Sequence, residues 1–455
     1  MSRATAEFDA ALMDIAAHWC AESLRLGAQY AQVFVEASSD LRLETRLRDG
    51  TATTSAASVS RRHGVGLLFR HGGTWKYGFA PLHEAQTLAA RLRALGLGAA
   101  RIPGDRPGPQ PGEAEPVTAA DPFDEVATDL PKGGSVHFIQ DFYRQHRLVV
   151  DSDGVRSAQF VGGGRQRASA TVLGEQRLSR AFTRASDPRW RMSEGGAELA
   201  ESAVGLVRSA LTQAEALTEA RSLGARSSPV VLGPKAGAAL LHELVGHALE
   251  ADNLAKNPNA ATLNGSRITR TPLNLLDDPS IPAGIGSRRT DDDGRECRPV
   301  PLVDGGVVVG ALTSMRTAPA STGTANGRRE SYRHACLPRA SNTSVLAGTD
   351  SVASLLEPSP EGVLYISSLG SGEFSSATGE FSFTAAAAHF ITPLGERIPL
   401  RDVDLYGDSR QTVERLAGIA DDVRGDSATC GKQGQSILIG LYSPTLRFDR
   451  LDWRC

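Results

Sequence analysis

Apolar residues recur at helical spacing over Thr5 to Gln29, where Phe8, Leu12, Ile15 and Trp19 share one face of a first helix. The period then changes to two. Leu41, Leu43 and Leu47 alternate with Arg42, Glu44, Arg46 and Arg48 up to Asp49-Gly50, which predicts a half-buried strand closing into a hairpin. Gly64 to Phe69 and Thr74 to Phe79 continue the meander across Gly72-Gly73, and a second helix is expected over roughly Leu82 to Leu95. Pro103, Pro107, Pro109, Pro111 and Pro116, mixed with glycines and acids, mark a solvated loop over about residues 101–117. Further strands are expected over Val136 to Val150, Val155 to Val161 and Arg167 to Leu173, with Gly162-Gly163-Gly164 bending the chain between the last two. A long helix follows near Gly196 to Ser222 and another over Gly233 to Asn253. Beyond it the pattern breaks into short β segments and turns.

This order predicts an α+β protein of two domains: an N-terminal α/β domain with antiparallel strands (1–225) and a β-rich C-terminal domain (226–455). The chain has 455 residues, 40% hydrophobic and 22% charged, enough for two cores. A net charge of −3 gives no global basic field for nucleic acid. No apolar run approaches the roughly 20 residues that span a bilayer, and the first residues lack the layout of a secretory signal. Five scattered cysteines, an odd number, point to a reducing compartment, so a cytoplasmic protein is expected.

Chemistry concentrates in Leu241-His242-Glu243-Leu244-Val245-Gly246-His247. Two imidazoles and a carboxylate are the parts of a metal-assisted hydrolase, but the histidines stand one residue further apart than in H-E-x-x-H. At about 100° per residue they point roughly 140° apart on an ideal α-helix. A single π-type turn would bring them nearly into line, and Gly246 is where distortion costs least. Leu240, Leu241, Leu244, Val245 and Ala248 take one half of the wheel, against His242, Glu243, Gly246, His247 and Glu250 on the other; Pro234 suits the first turn. The alternative is an ordinary surface helix with a polar face.

A metal needs a third ligand. Cys430, in the Gly-spaced loop Thr429-Cys430-Gly431-Lys432-Gln433-Gly434, is one candidate, since a nearby lysine or a metal lowers a thiol's pKa. Cys336 is the rival, and Cys20 reads as packing on the first helix. Asp291-Asp292-Asp293-Gly294 has the wrong spacing for a calcium loop and reads as a polar turn. There is no G-x-S-x-G serine elbow.

The segment from His242 to Asn253, the block Asn326-Gly327-Arg328-Arg329-Glu330-Ser331-Tyr332 with Pro338-Arg339 and Asn342-Thr343, and the block from Cys430 to Ser436 with Pro444-Thr445-Leu446-Arg447 together resemble the TldD/PmbA family of peptidases, once described as modulators of DNA gyrase. The resemblance covers about Pro229 to Leu451 and, by layout only, the N-terminal half. It implies a zinc peptidase with His242, His247 and Cys430 as ligands and Glu243 as general base, of the metal-containing TldD type. It implies a peptide substrate, including natural-product precursors, entering the cavity of a homodimer or of a heterodimer with a metal-free TldE-like relative. Arg328, Arg329 and Tyr332 are candidates for holding substrate or the oxyanion, against the alternative of a structural ion-pair and turn cluster. An amidase or isopeptidase releasing a product from a carrier, and a non-catalytic peptide-binding partner, are the competing functions. Arg333-His334-Ala335-Cys336 and Leu369-Gly370-Ser371-Gly372-Glu373 depart from the family's wording, and both are candidates to line the substrate channel.

Overall fold

Helix α1 (Arg3–Arg25) leads into β1 (Tyr30–Arg48), β2 (Thr51–His71), β3 (Thr74–Pro81), β4 (Ser135–Asp151), β5 (Arg156–Leu173) and β6 (Leu178–Asp187), and α2 (Gly196–Thr218) follows. These elements come from a computed structural model, which describes residues 3–48, 51–84, 126, 129–175, 178–190, 196–256, 263–319, 321–375 and 378–455. The six strands form one antiparallel sheet in the order β3-β2-β1-β4-β5-β6. Side-chain alternation decides what each face meets. Val33 and Val35 lie under Ala16 and Cys20 of α1, and Leu41, Leu43 and Leu47 under Leu199, Ala203 and Val207 of α2. The alternate residues Gln32, Phe34 and Glu36 face the second half of the chain, where they meet Asp293 and Tyr332.

The hairpins form where the pattern placed them. Strands β1 and β2 pair out to Arg48 and Thr51, and β2 turns into β3 through Gly72 and Gly73, both at positive φ (57° and 78°) as a tight hairpin turn requires. Asp49-Gly50, the proline-rich stretch 103–116 and the helix expected to Leu95 beyond Glu84 lie outside the described residues.

Two expectations are corrected. Ile15 is 39% exposed, because α1 approaches the sheet on its small residues Ala16 and Cys20, one position further round the helix. The glycines 162–164 do not bend the chain: β5 runs straight through them. Their missing side chains admit a neighbour instead. A Cβ on Gly164 would stand 2.7 Å from that of Trp190, and one on Gly163 would stand 2.9 Å from the Cα of Pro188.

The second half contributes β7 (Arg226–Leu232), α3 (Pro234–Leu241), α4 (Ala251–Leu254), β8 (Leu275–Asp277), β9 (Val300–Asp304), β10 (Val307–Val308), β11 (Asn342–Val345), β12 (Val363–Phe374), β13 (Glu380–Ile391), β14 (Asp404–Asp408), β15 (Arg424–Lys432), β16 (Gln435–Ser443) and β17 (Leu446–Arg454). Strands β12-β7-β17-β14-β13 pair in that order, and β13 returns to β12, closing a small barrel around Phe448, Trp453 and Leu405. A second sheet runs β10-β9-β8-β11-β16-β15. Helix α3 packs against both, so its apolar residues are buried all round rather than on one face. Among the described residues no helix is long and apolar enough to cross a membrane.

Gly164→Ala is expected to cost about 1–3 kcal/mol by overpacking against Trp190. A thermal unfolding midpoint equal to wild type would show that the sheet can yield there.

Candidate metal centre

Strand β7 is followed by Gly233, whose N–H donates to Ile366 O at 2.9 Å and whose absent Cβ leaves room for the Tyr365 hydroxyl. Pro234 then starts α3 with no donor wasted. At His242 the winding loosens. Residues His242–Gly246 form one π turn, in which the His247 N–H bonds to His242 O five residues back, and His247–Leu249 tighten into a 3₁₀ turn. The segment expected as one continuous helix to Asn253 is therefore broken, and Glu250 already has extended backbone.

That single wide turn brings the two imidazoles together, with ring centroids 4.6 Å apart. Cys430 arrives from β15, its Sγ 3.1 Å from His247 Nε2, and the ligand atoms of His242, His247 and Cys430 all lie within 4.8 Å of one another. The rival thiol is elsewhere: Cys336 is fully buried and accepts from Arg329 Nε at 3.0 Å.

Each ring is held from behind. His242 Nδ1 is 2.8 Å from Thr343 Oγ1 on β11, and His247 Nδ1 is 2.8 Å from Glu250 Oε2. Both Nε2 atoms are thereby left for the cluster, and His242 Nε2 is buried with no hydrogen-bond partner. Burial alone would raise the Cys430 thiol, but the facing imidazoles outweigh it and hold it well below its ordinary range. Burial would lower His247, yet Glu250 and Cys430 carry it well above an ordinary imidazole. Two nitrogens, one of them buried and unpartnered, and a thiolate-favouring sulfur make a donor set that fits zinc. Glu243 is the open member: its carboxylate lies 3.8 Å from His247 Nε2 and its side chain is 33% exposed.

The lysine near Cys430 serves a different partner from the one expected. Lys432 Nζ donates to Glu250 Oε2 at 2.8 Å, to Asp252 Oδ1 at 2.5 Å and to Pro338 O at 3.1 Å. Arg339, fully buried, donates to Cys430 O. Thr343, Glu250 and Arg339 were missed as site residues. Glu250 carried a usable signal, standing three residues beyond His247.

The sequence candidates Arg328, Arg329 and Tyr332 are all buried, and their contacts lie away from the imidazoles. Arg329 sits on the Phe34 ring at 4.2 Å and donates to Gln32 Oε1 and Asp292 O. Arg328 donates to Ala340 O and Leu438 O, and the Tyr332 N–H donates to Glu36.

Residues 225–453 match the model of the PmbA/TldA metallopeptidase C-terminal domain. A metalloprotease TldD homolog of Haemophilus influenzae is 32% identical over 255 residues, 55% of this chain and 52% of that one. A zinc metalloprotease TldD homolog of Saccharolobus solfataricus is 31% identical over 227 residues, 49% of this chain and 50% of that one. The chain thus spans about half the length of the curated relatives it matches. TldE from Thermococcus kodakarensis shares the fold with a TM-score of 0.72 at 16% identity, over 96% of this chain and 99% of that one. A putative modulator of DNA gyrase from Bacteroides thetaiotaomicron does so at 0.68 and 17%, over 97% and 98%.

Lys432→Met is expected to destabilise by about 3 kcal/mol, because it strands the fully buried Glu250 carboxylate without its ammonium partner. Urea unfolding checks this. The double variant with Glu250→Gln should recover part of the loss, and failure to recover any would mean that Lys432 acts through packing instead.

Proposed function

Since the chain belongs to the TldD/PmbA metallopeptidase family, we propose that it hydrolyses peptide bonds of unfolded or precursor peptides, with His242, His247 and Cys430 holding zinc and Glu243 moving the proton. The convergence of two imidazoles and a thiol around an orphaned, buried His242 Nε2 carries this reading. Zinc bound there would supply Lewis acidity toward the scissile carbonyl and a water acidic enough to ionise near neutral pH.

The chain's own groups supply orientation and proton transfer. Thr343 and Glu250 fix the imidazoles through Nδ1, so neither ring can turn its Nε2 away from the cluster. Glu243 is the partly open carboxylate beside buried neighbours, and it takes a proton from the attacking water and returns it to the leaving amine. Lys432 holds Glu250 from behind and keeps a second negative charge close to His247. We place the site inside a dimer, of this chain with itself or with a metal-free TldE-like relative, so that only an unfolded peptide reaches it. The support for that assembly is the family resemblance.

Elemental analysis of the purified chain tests the ligand set. Wild type and Cys336→Ser are expected to hold close to one zinc per chain and Cys430→Ser to lose it; zinc lost with Cys336 instead would move the ligand. Glu243→Gln is expected to keep zinc and to lose turnover by about 10²–10⁴-fold, followed by mass spectrometry of peptide products. Unchanged turnover in that variant would remove Glu243 from the mechanism. Release of a single cargo rather than internal fragments would point to an amidase.

A further inference from the structure

One strand pair separates two chemistries. On β15 and β16, Cys430 and Ile437 pack toward α3, while the adjacent pair Thr429 and Leu438 points to the other face. On that other face a cleft of about 490 Å³ opens between β15–β16 and the helix-free face of the N-terminal sheet. Among the described residues its lining holds seven arginines and three carboxylates.

The acids present are already shared. Asp141 is divided among Arg42, Arg165 and Arg167, Asp40 pairs with Arg62, and Glu330 accepts the Ser436 N–H. Outside the lining, buried Asp292 lies between Arg147 and Arg288. For Arg328, no described carboxylate comes within ion-pair distance. Its two terminal nitrogens donate to the carbonyls of Ala340 and Leu438, and its Nε is buried with no partner. Arg288 Nη1 makes no hydrogen bond either, Asp292 standing 3.6 Å off. Both side chains are more than nine-tenths buried. A buried guanidinium without a counter-charge is costly, and burial with neighbouring Arg288 and Arg339 pushes Arg328 well below its usual basicity. The cleft is short of negative charge where its donors are free.

We propose that this cleft is a binding site for an acidic peptide segment, whose side-chain carboxylates are taken by Arg288 and Arg328. The assignment to a substrate rests on the peptidase reading above, and the cleft would then select precursor stretches rich in Asp or Glu from behind the strand that carries Cys430. Two observations favour a peptide over a small free anion. The volume falls in the range of pockets for drug-sized ligands, roughly 300–1,000 Å³, which is more room than a single phosphate fills and enough for a few side chains of a peptide. Ile285 and Leu438 stand beside the arginines, giving apolar surface that a phosphate has no use for.

The test is fluorescence anisotropy on full-length Glu243→Gln, so that turnover cannot consume the probe. The probe is a labelled, C-terminally amidated Glu-rich peptide, compared with its Gln-for-Glu counterpart. The acidic peptide is expected to bind about tenfold tighter or more at low salt, with the advantage shrinking as salt rises. Adding Arg288→Gln should remove most of that advantage. Arg62→Gln, at the rim with its side chain 31% exposed, should reduce it about threefold and keeps the test readable if the buried variant does not fold. Equal binding of the two peptides, or an advantage that both arginine variants keep, overturns the proposal. Inorganic phosphate that binds where the acidic peptide does not overturns it too, in favour of a small-anion site. Wild-type cleavage is scored separately: cleavage without acidic preference sinks this site alone, and acidic binding without cleavage sinks the hydrolytic reading alone.

Discussion

Two imidazoles five residues apart can face one point only if the chain abandons α-helical winding between them, and this requirement shapes the second half of the molecule. The π turn at His242–Gly246 gives up regular hydrogen bonding, so it has to be over-determined by its surroundings. Helix α3 supplies the fixed end. It is gripped between the barrel and the second sheet, with Ala236, Gly237, Ala238, Leu240 and Leu241 all buried. Glu250, Lys432 and Asp252 pin the other end in a buried ion network. Gly246 sits inside, where an added Cβ would press to 3.3 Å from His242 Nδ1.

The same economy governs the join between the halves. Asp291, Asp292 and Asp293 form the polar turn that the sequence suggests, yet all three are almost fully buried. Asp291 accepts the N–H groups of Asp293, Arg295 and Gly327, and Asp292 meets Arg147 from the N-terminal sheet. Across the same seam Arg295 pairs with Asp151, and Arg329 reaches Gln32. Charges of both signs are buried here with partners, Asp292 and Arg295 finding theirs across the seam and Asp291 and Asp293 within their own half. The arginine-lined cleft is where this matching stops.

Local patterning was sufficient for much of the N-terminal sheet, though not for β6 (Leu178–Asp187) or the continuity of β5. Alternation over Leu41 to Arg48, the Gly72-Gly73 turn and the 3.6 period of α2 each express an element whose one buried face is written in its own residues. The pattern misled where burial is two-sided or contact is at close range. Glycines 162–164 look like a bend from composition, but they are straight strand emptied to admit Pro188 and Trp190. The half-polar wheel of His242 to Glu250 looks like a surface, but tertiary partners cover it.

The sequence by itself determined the π-turn requirement, because the spacing of His242 and His247 allows no shared ligand point on a regular α-helix. It also supplied Glu243 beside them and two thiol candidates. Only the tertiary structure brings Cys430, and not Cys336, beside the two histidines. β15 and β16 form a local hairpin, but that placement depends on β16 lying beside β11 and on Cys430 reaching His247, contacts between residues close to a hundred or more positions apart that no local period encodes. Tertiary structure also put Thr343 and Glu250 behind the rings and left Arg328 without a carboxylate. Hydrogen bonds and counter-charges are set by what the folded chain brings near, whereas a helical or strand period is set by the chain's own geometry.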